Sequence, residues 1–80
     1  MDNKILTLNK IPEGQMAIVT KLLSQGTMRR RLLDLGVVEG TKITCLQKSP
    51  AGDPIAYFIR GAVIALRSED SSNILVEKTL

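Results

Sequence analysis

The chain has no histidine, no tryptophan, a single cysteine, and one tyrosine and one phenylalanine among its 80 residues. Each absence removes a class of chemistry. Without histidine there is no side chain that titrates near neutral pH unperturbed, no Cys–His nucleophile pair and no 2-His-1-carboxylate iron site. The lone Cys45 cannot pair within the chain, and it cannot build a closed zinc site. No coupled carboxylate pair stands out either, so the sequence predicts a protein that is not an enzyme. Long apolar runs are also missing. Ile55 to Ile59 and Ala62 to Leu66 are five residues each, whereas a bilayer-spanning helix needs about 20. The first residues, Met1 to Ile5, carry an acid at once and no apolar segment, so they do not read as a secretory leader. The expectation is a cytoplasmic protein, with which a lone thiol agrees.

What is present fits one small domain spanning residues 1–80. A chain of this size hides only about 60% of its unfolded surface, which predicts a compact core and no deep cleft. There are 11 Lys and Arg against 8 Asp and Glu, a formal charge of +3. That balance is mildly basic and selects no partner by itself.

Short segments alternate at the strand period between turn residues. Pro12-Glu13-Gly14 leads into a strand over Gln15 to Leu22; Thr41 to Gln47 puts Ile43 and Cys45 on one face; Ser49 to Pro54 reads as a loop. Ile55 to Arg60 and Ala62 to Arg67 are both β-rich and can form a hairpin only if Arg60 joins Gly61 in a tight turn. Ile74 to Lys78 closes the series, and Ser68 is placed to cap a single helical turn before it. The expected class is mainly β: a small barrel of about five strands, closed or nearly so because closure removes exposed edges.

One helix interrupts the strands. Met28, Leu32 and Leu35 form an apolar stripe, with Leu33 beside it, Thr27 as the expected N-cap and Gly36 as a left-handed stop. The predicted span is Met28 to Leu35, packed over a barrel end. On that span Arg29, Arg30 and Arg31 crowd the positive end of the helix dipole and Asp34 sits at the negative end. An Arg30–Asp34 contact would recover only about 0.2–0.5 kcal/mol. The arginine run can be a solvated face, a patch for an anionic partner, or ion pairs to acids such as Glu13 or Glu39.

Other candidates are weaker. The carboxylates Glu13, Glu39, Asp53, Glu69 and Asp70 show no ligand spacing, so no required cofactor is expected. Cys45, on the apolar face of a strand, reads as a core residue. Gly52, Asp53 and Pro54 shape a hairpin tip, with contact to a partner as the second reading. The glycines form no nucleotide-binding pattern. Tyr57 and Phe58 are adjacent, so a strand points them to opposite faces and no two-base platform forms. An RNA-binding small β-barrel is therefore carried as an alternative, and no nucleic acid is expected as partner.

The order of segments resembles the ferrous iron transport protein A family, FeoA. The matching elements are Pro12-Glu13-Gly14, then Arg31-Leu32-Leu33-Asp34-Leu35-Gly36-Val37 with Gly40-Thr41, then Gly52-Asp53-Pro54-Ile55, and Ile64-Ala65-Leu66-Arg67 before Ile74-Leu75-Val76. Where the family usually has alanine after the A-L-R strand, Ser71 stands here. The resemblance implies an SH3-like barrel and a small cytoplasmic accessory, or adapter, for ferrous iron uptake. It would act by protein contact with the membrane transporter FeoB, meeting its cytosolic G-protein portion or its membrane-embedded face, and could reach the inner face of the membrane through it. Arg29, Arg30, Arg31, Leu33, Asp53 and Pro54 are the expected contact residues. The family also implies weak binding of ferrous or another divalent transition metal, at no assignable residues here. A stand-alone relative of the C-terminal domains of metal-dependent repressors is a further alternative, and pairing of exposed sheet edges would allow a homo-oligomer.

Overall fold

A computed structural model of the protein describes residues 5–78; the leader reading rests on residues that fall mainly outside this range. The strands are β1 (Ile5–Thr7), β2 (Met16–Leu22), β3 (Lys42–Lys48), β4 (Ile55–Ile59), β5 (Ala62–Leu66) and β6 (Ile74–Lys78). They form one sheet in the order β1-β6-β2-β3-β4-β5, antiparallel throughout. Two register shifts, between Val19 and Lys21 and between Cys45 and Gln47, bend the central strands. The bent sheet forms a small barrel-like fold around Tyr57, Ile43, Val19, Ile59 and Val76, all at most 1% exposed.

Two details differ from the expected barrel. Among the described residues the sheet does not close, since β1 and β5 are the two ends of its order. The described residues form six strands rather than about five, because Ile5–Thr7 pairs with Glu77, Val76 and Leu75 of β6. Three residues are too few to display a period, so only the long-range pairing makes this segment a strand.

The β4–β5 hairpin turns on Arg60 and Gly61, both left-handed (φ 47° and 87°), which is the conformation a two-residue connection demands. The expectation that Arg60 joins the turn holds.

Helix α1 spans Gly26–Asp34 and starts two residues before the expected Met28. Thr27 lies inside the first turn and caps nothing; the N-cap is Gln25, without a side-chain hydrogen bond. The longer helix places Arg29 to Arg31 away from its N-terminal end, with Arg31 in the last turn, where a cation is favourable. The expected conflict between the arginines and the helix dipole is thereby relieved. Gly36, at φ 90°, ends the helix as expected. The N–H of Gly36 donates to Leu33 O at 3.0 Å and that of Val37 to Leu32 O at 2.9 Å, the two bonds of a Schellman stop. Leu32 and Val37, both fully buried, supply its apolar contact.

A short second helix, α2 (Ser68–Ser71), follows β5. Its N-cap is Arg67, not Ser68, and the acceptor for the Ser68 N–H comes from elsewhere: the Asp53 carboxylate, at 2.8 Å. Asp53→Ala is expected to lower stability by about 1 kcal/mol, the usual worth of a lost helix cap, seen as a lower urea midpoint with an unchanged slope.

Candidate functional site

Helix α1 is anchored from below by Leu32 and presents a basic outer surface. Arg29, Arg30 and Arg31 are all exposed, and Leu33 is 41% exposed between them and Asp34. The three arginines are not equivalent. Arg29 donates through a guanidinium nitrogen to Leu22 O at 3.2 Å, tying the helix to the end of β2. The expected Arg30–Asp34 contact is not among the hydrogen bonds and ion pairs of the described residues; both side chains instead line a shallow hollow of about 290 Å³ with Gly26, Arg29 and Leu33. The acids considered as buried partners lie elsewhere: the Glu13 carboxylate accepts from Lys48 N–H at 2.6 Å, and Glu39 is exposed.

Asp53 and Pro54 are not part of this surface. Pro54 lines a different hollow with Gln47, Ser49, Pro50, Ala56 and Ala65, which shares no residue with the first. The Asp53 carboxylate is held by the Ser68 amide.

The loop leaving α1 is tightly fixed. The Thr41 hydroxyl donates to Gly36 O at 2.7 Å and accepts from Val38 N–H at 3.1 Å, and Gly40 N–H donates to Val19 O at 2.8 Å. The aliphatic stem of Arg60 lies over Gly36, so that a Cβ there would fall 2.7 Å from the Arg60 Nε. The glycine of the R-L-x-x-L-G segment thus answers both a left-handed backbone and a close side chain.

Sequence reasoning missed a second surface on the outer face of the sheet. Met16, Thr44, Phe58 and Val63 face one another across β2, β3, β4 and β5 as direct register partners. Phe58 is 44% and Val63 68% exposed. The signal was available in part: Tyr57 and Phe58 do point to opposite faces, with Tyr57 fully buried. Which strands lie beside Phe58 was not readable.

The candidate metal ligands do not converge. Among the described residues no three of His, Cys, Asp and Glu come together. Cys45 is fully buried in the core, and burial raises its thiol pKa above the ordinary value, the reverse of a reactive or metal-ready thiolate. A resident transition-metal site does not fit these donors. Tyr57 is the other perturbed group: burial first, with Cys45 and Asp53 adding to it, pushes its phenol up to about 12. Its hydroxyl lies in reach of Ser71 yet makes no well-formed hydrogen bond. The fully buried Ser71 hydroxyl turns instead to the carbonyls of Arg67 and Ser68, both at 3.3 Å. The folded state therefore holds the phenolic proton more tightly than the unfolded chain, whose tyrosine titrates near the ordinary value of about 10. Tyr57's share of the stability is intact below pH about 10 and is lost as pH rises toward about 12, at up to about 1.4 kcal/mol per pH unit. A tyrosinate absorbance titration run beside a thermal melt at each pH checks this.

A six-stranded, bulged antiparallel sheet with helix α1 after its second strand and the single turn α2 before its last defines a small SH3-like domain. The FeoA domain family matches residues 6–78, and the chain belongs to it. It is 35% identical over 72 residues to the Fe(2+) transport protein A/Fe(2+) transporter FeoB fusion protein of Porphyromonas gingivalis, a match covering 90% of this chain and 8% of that protein. The chain therefore spans only a small part of this curated relative. Among solved structures, the FeoA-like protein of Clostridium acetobutylicum superposes with a TM-score of 0.87 at 35% identity, covering 100% of this chain and 92% of that one. The zinc complex of Stenotrophomonas maltophilia FeoA, described as a prokaryotic SH3 domain protein, superposes at 0.79 with 27% identity, covering 89% and 88%. The place of this chain is thus in the ferrous iron transport family, in line with the resemblance read from its motifs.

Proposed function

We propose that this chain is a cytoplasmic adapter of ferrous iron uptake that docks on FeoB through the outer face of α1. Arg30 lines the hollow with the exposed Leu33, Arg31 is exposed on another flank of α1, and the hydrogen bonds and ion pairs of the described residues give neither an acidic partner. This is the observation that carries the reading. A free cation beside an exposed leucine, with a second free cation on the flank of the same helix, suits an acidic protein surface with a hydrophobic contact, where the charges steer and the leucine anchors. The fused FeoA and FeoB of Porphyromonas gingivalis supports the choice of partner, since a single chain holds both at high effective concentration. Among the described residues no helix is long and apolar enough to cross a membrane, and the contact proposed for this chain is with protein. No chemical step falls to it, and ferrous iron is the transporter's cargo. The RNA-binding alternative has only Phe58 as an exposed aromatic, half of the smallest stacking platform.

The test is an NMR titration of the isotope-labelled domain with the soluble G-protein portion of its cognate FeoB at low and high salt. Saturable shifts around Arg30 to Leu33, with an affinity that falls as salt rises, are the expected result. Shifts confined to other surfaces, or none, would remove α1 as the docking face.

A further inference from the structure

The described sheet has two ends, β1 and β5, and β5 is the one described over its full length. Strand β5 is five residues, Ala-Val-Ile-Ala-Leu, with no charge, no proline and no bulge against β4. No backbone hydrogen bond from Ala62 to Leu66 goes to anything but β4 among the described residues. Because the hairpin turns on two residues, Ala62 exchanges its bonds with Ile59, and Ile64 and Leu66 follow at the antiparallel alternation. The N–H and C=O groups of Val63 and Ala65 therefore point away from the sheet. Both side chains are exposed, and Val63, at 68%, is the most exposed of the large apolar residues.

We infer that the β5 edge pairs antiparallel with β5 of a second copy of this chain about a two-fold axis through Ile64. This surface is separate from the arginine face, and the inference does not rest on the proposed function. The register follows by elimination. An axis through Val63 sets the two valines against each other and Ala65 against Gly61 of the turn; an axis through Ala65 sets Val63 against Arg67, outside the strand. Only the axis through Ile64 sets Val63 against Ala65 in both directions, which joins all the free groups of both edges in four backbone bonds. It also sets the large side chain against the small one, and it continues the Met16–Thr44–Phe58–Val63 row across the junction. The self-match of the edge argues for a second copy as the occupant: β5 carries no charged residue to meet its like across the axis, and in this register Ser68 of each copy lies beside the Arg60–Gly61 turn of the other. The pairing is smaller than a standard interface, so a dissociation constant on the order of 0.1–1 mM is expected.

Amide hydrogen exchange, with sedimentation, on the whole protein at roughly 0.02 mM and roughly 2 mM tests it. Exchange at Val63 and Ala65 should slow about threefold or more at the higher concentration, while Ala62, Ile64 and Leu66 stay protected at both. V63K, at a position the fold leaves in solvent, should abolish the concentration dependence and sediment as a monomer throughout. Equal exchange rates at both concentrations would overturn the inference, and this wild-type series decides the point even if the variant fails to fold. Protection that appears only on adding an extended Val- and Ala-rich peptide, and never with concentration, would overturn it too, assigning the edge to a strand from another protein.

Discussion

Leu32→Ala is expected to destabilise the domain by about 2–5 kcal/mol, the range for deleting a fully buried leucine. A chain of this length has a total stability on the order of 4–12 kcal/mol, so the loss takes a large share of it. Leu32 is 0% exposed and is the one fully buried residue of α1. It also stands at the helix position that meets Val37 in the stop, so its truncation loosens both the seat of α1 and the loop that Thr41 fixes. A urea melt should show the midpoint falling with little change in slope. A loss under about 1 kcal/mol would mean that α1 is held by its other contacts, Met28 and Leu35, which pack against the core.

The paired substitution R30E/R31E is expected to weaken FeoB binding about 10- to 100-fold while leaving the fold intact. Reversing two charges at a steered interface acts on both encounter and hold, and each factor of ten corresponds to about 1.4 kcal/mol. The fold should persist because both side chains are exposed and the helix is anchored by Leu32 and its Schellman stop, not by its charges. Arg29 is left in place because its bond to Leu22 O is structural. Calorimetry at low and high salt reads the affinity, and circular dichroism the fold. Unchanged affinity with intact structure would return the arginine run to a solvated face.

These expectations depend on different kinds of legibility. The strands β2 to β6 could be read because alternation and turn residues are local properties, and Gly36 could be read as a stop because only a left-handed residue closes that helix. Cys45 was readable as core from Ile43, two residues before it on the same face of the strand. The helix start was not. Thr27 has the chemistry of a cap, but β2 delivers the chain to α1 two residues earlier, and the left-handed Gly26 takes the first helical position. The role of Asp53 was half readable. A carboxylate in a turn predicts a bond to a backbone amide, and it makes one, but to Ser68, 15 residues away.

The arginine run shows the same division. Composition and spacing establish three consecutive cations on a helix, and no local rule separates them. The tertiary structure does, because the end of β2 offers a carbonyl to Arg29 and nothing comparable to Arg30 or Arg31.

By itself, the sequence determined the class of the domain, its main helix, its membership of the FeoA family through motifs spread over nearly the whole chain, and the poverty of its catalytic chemistry. Each follows from residue identity and short-range periodicity, which need no partner strand to be read. Only the tertiary structure decided that the sheet stays open, that β1 exists, and that Phe58 and Val63 share an outer row ending at an unguarded edge. Strand order and register are set by contacts between residues far apart in the chain, and the free energy that selects them comes from burying Tyr57, Leu32 and their neighbours together.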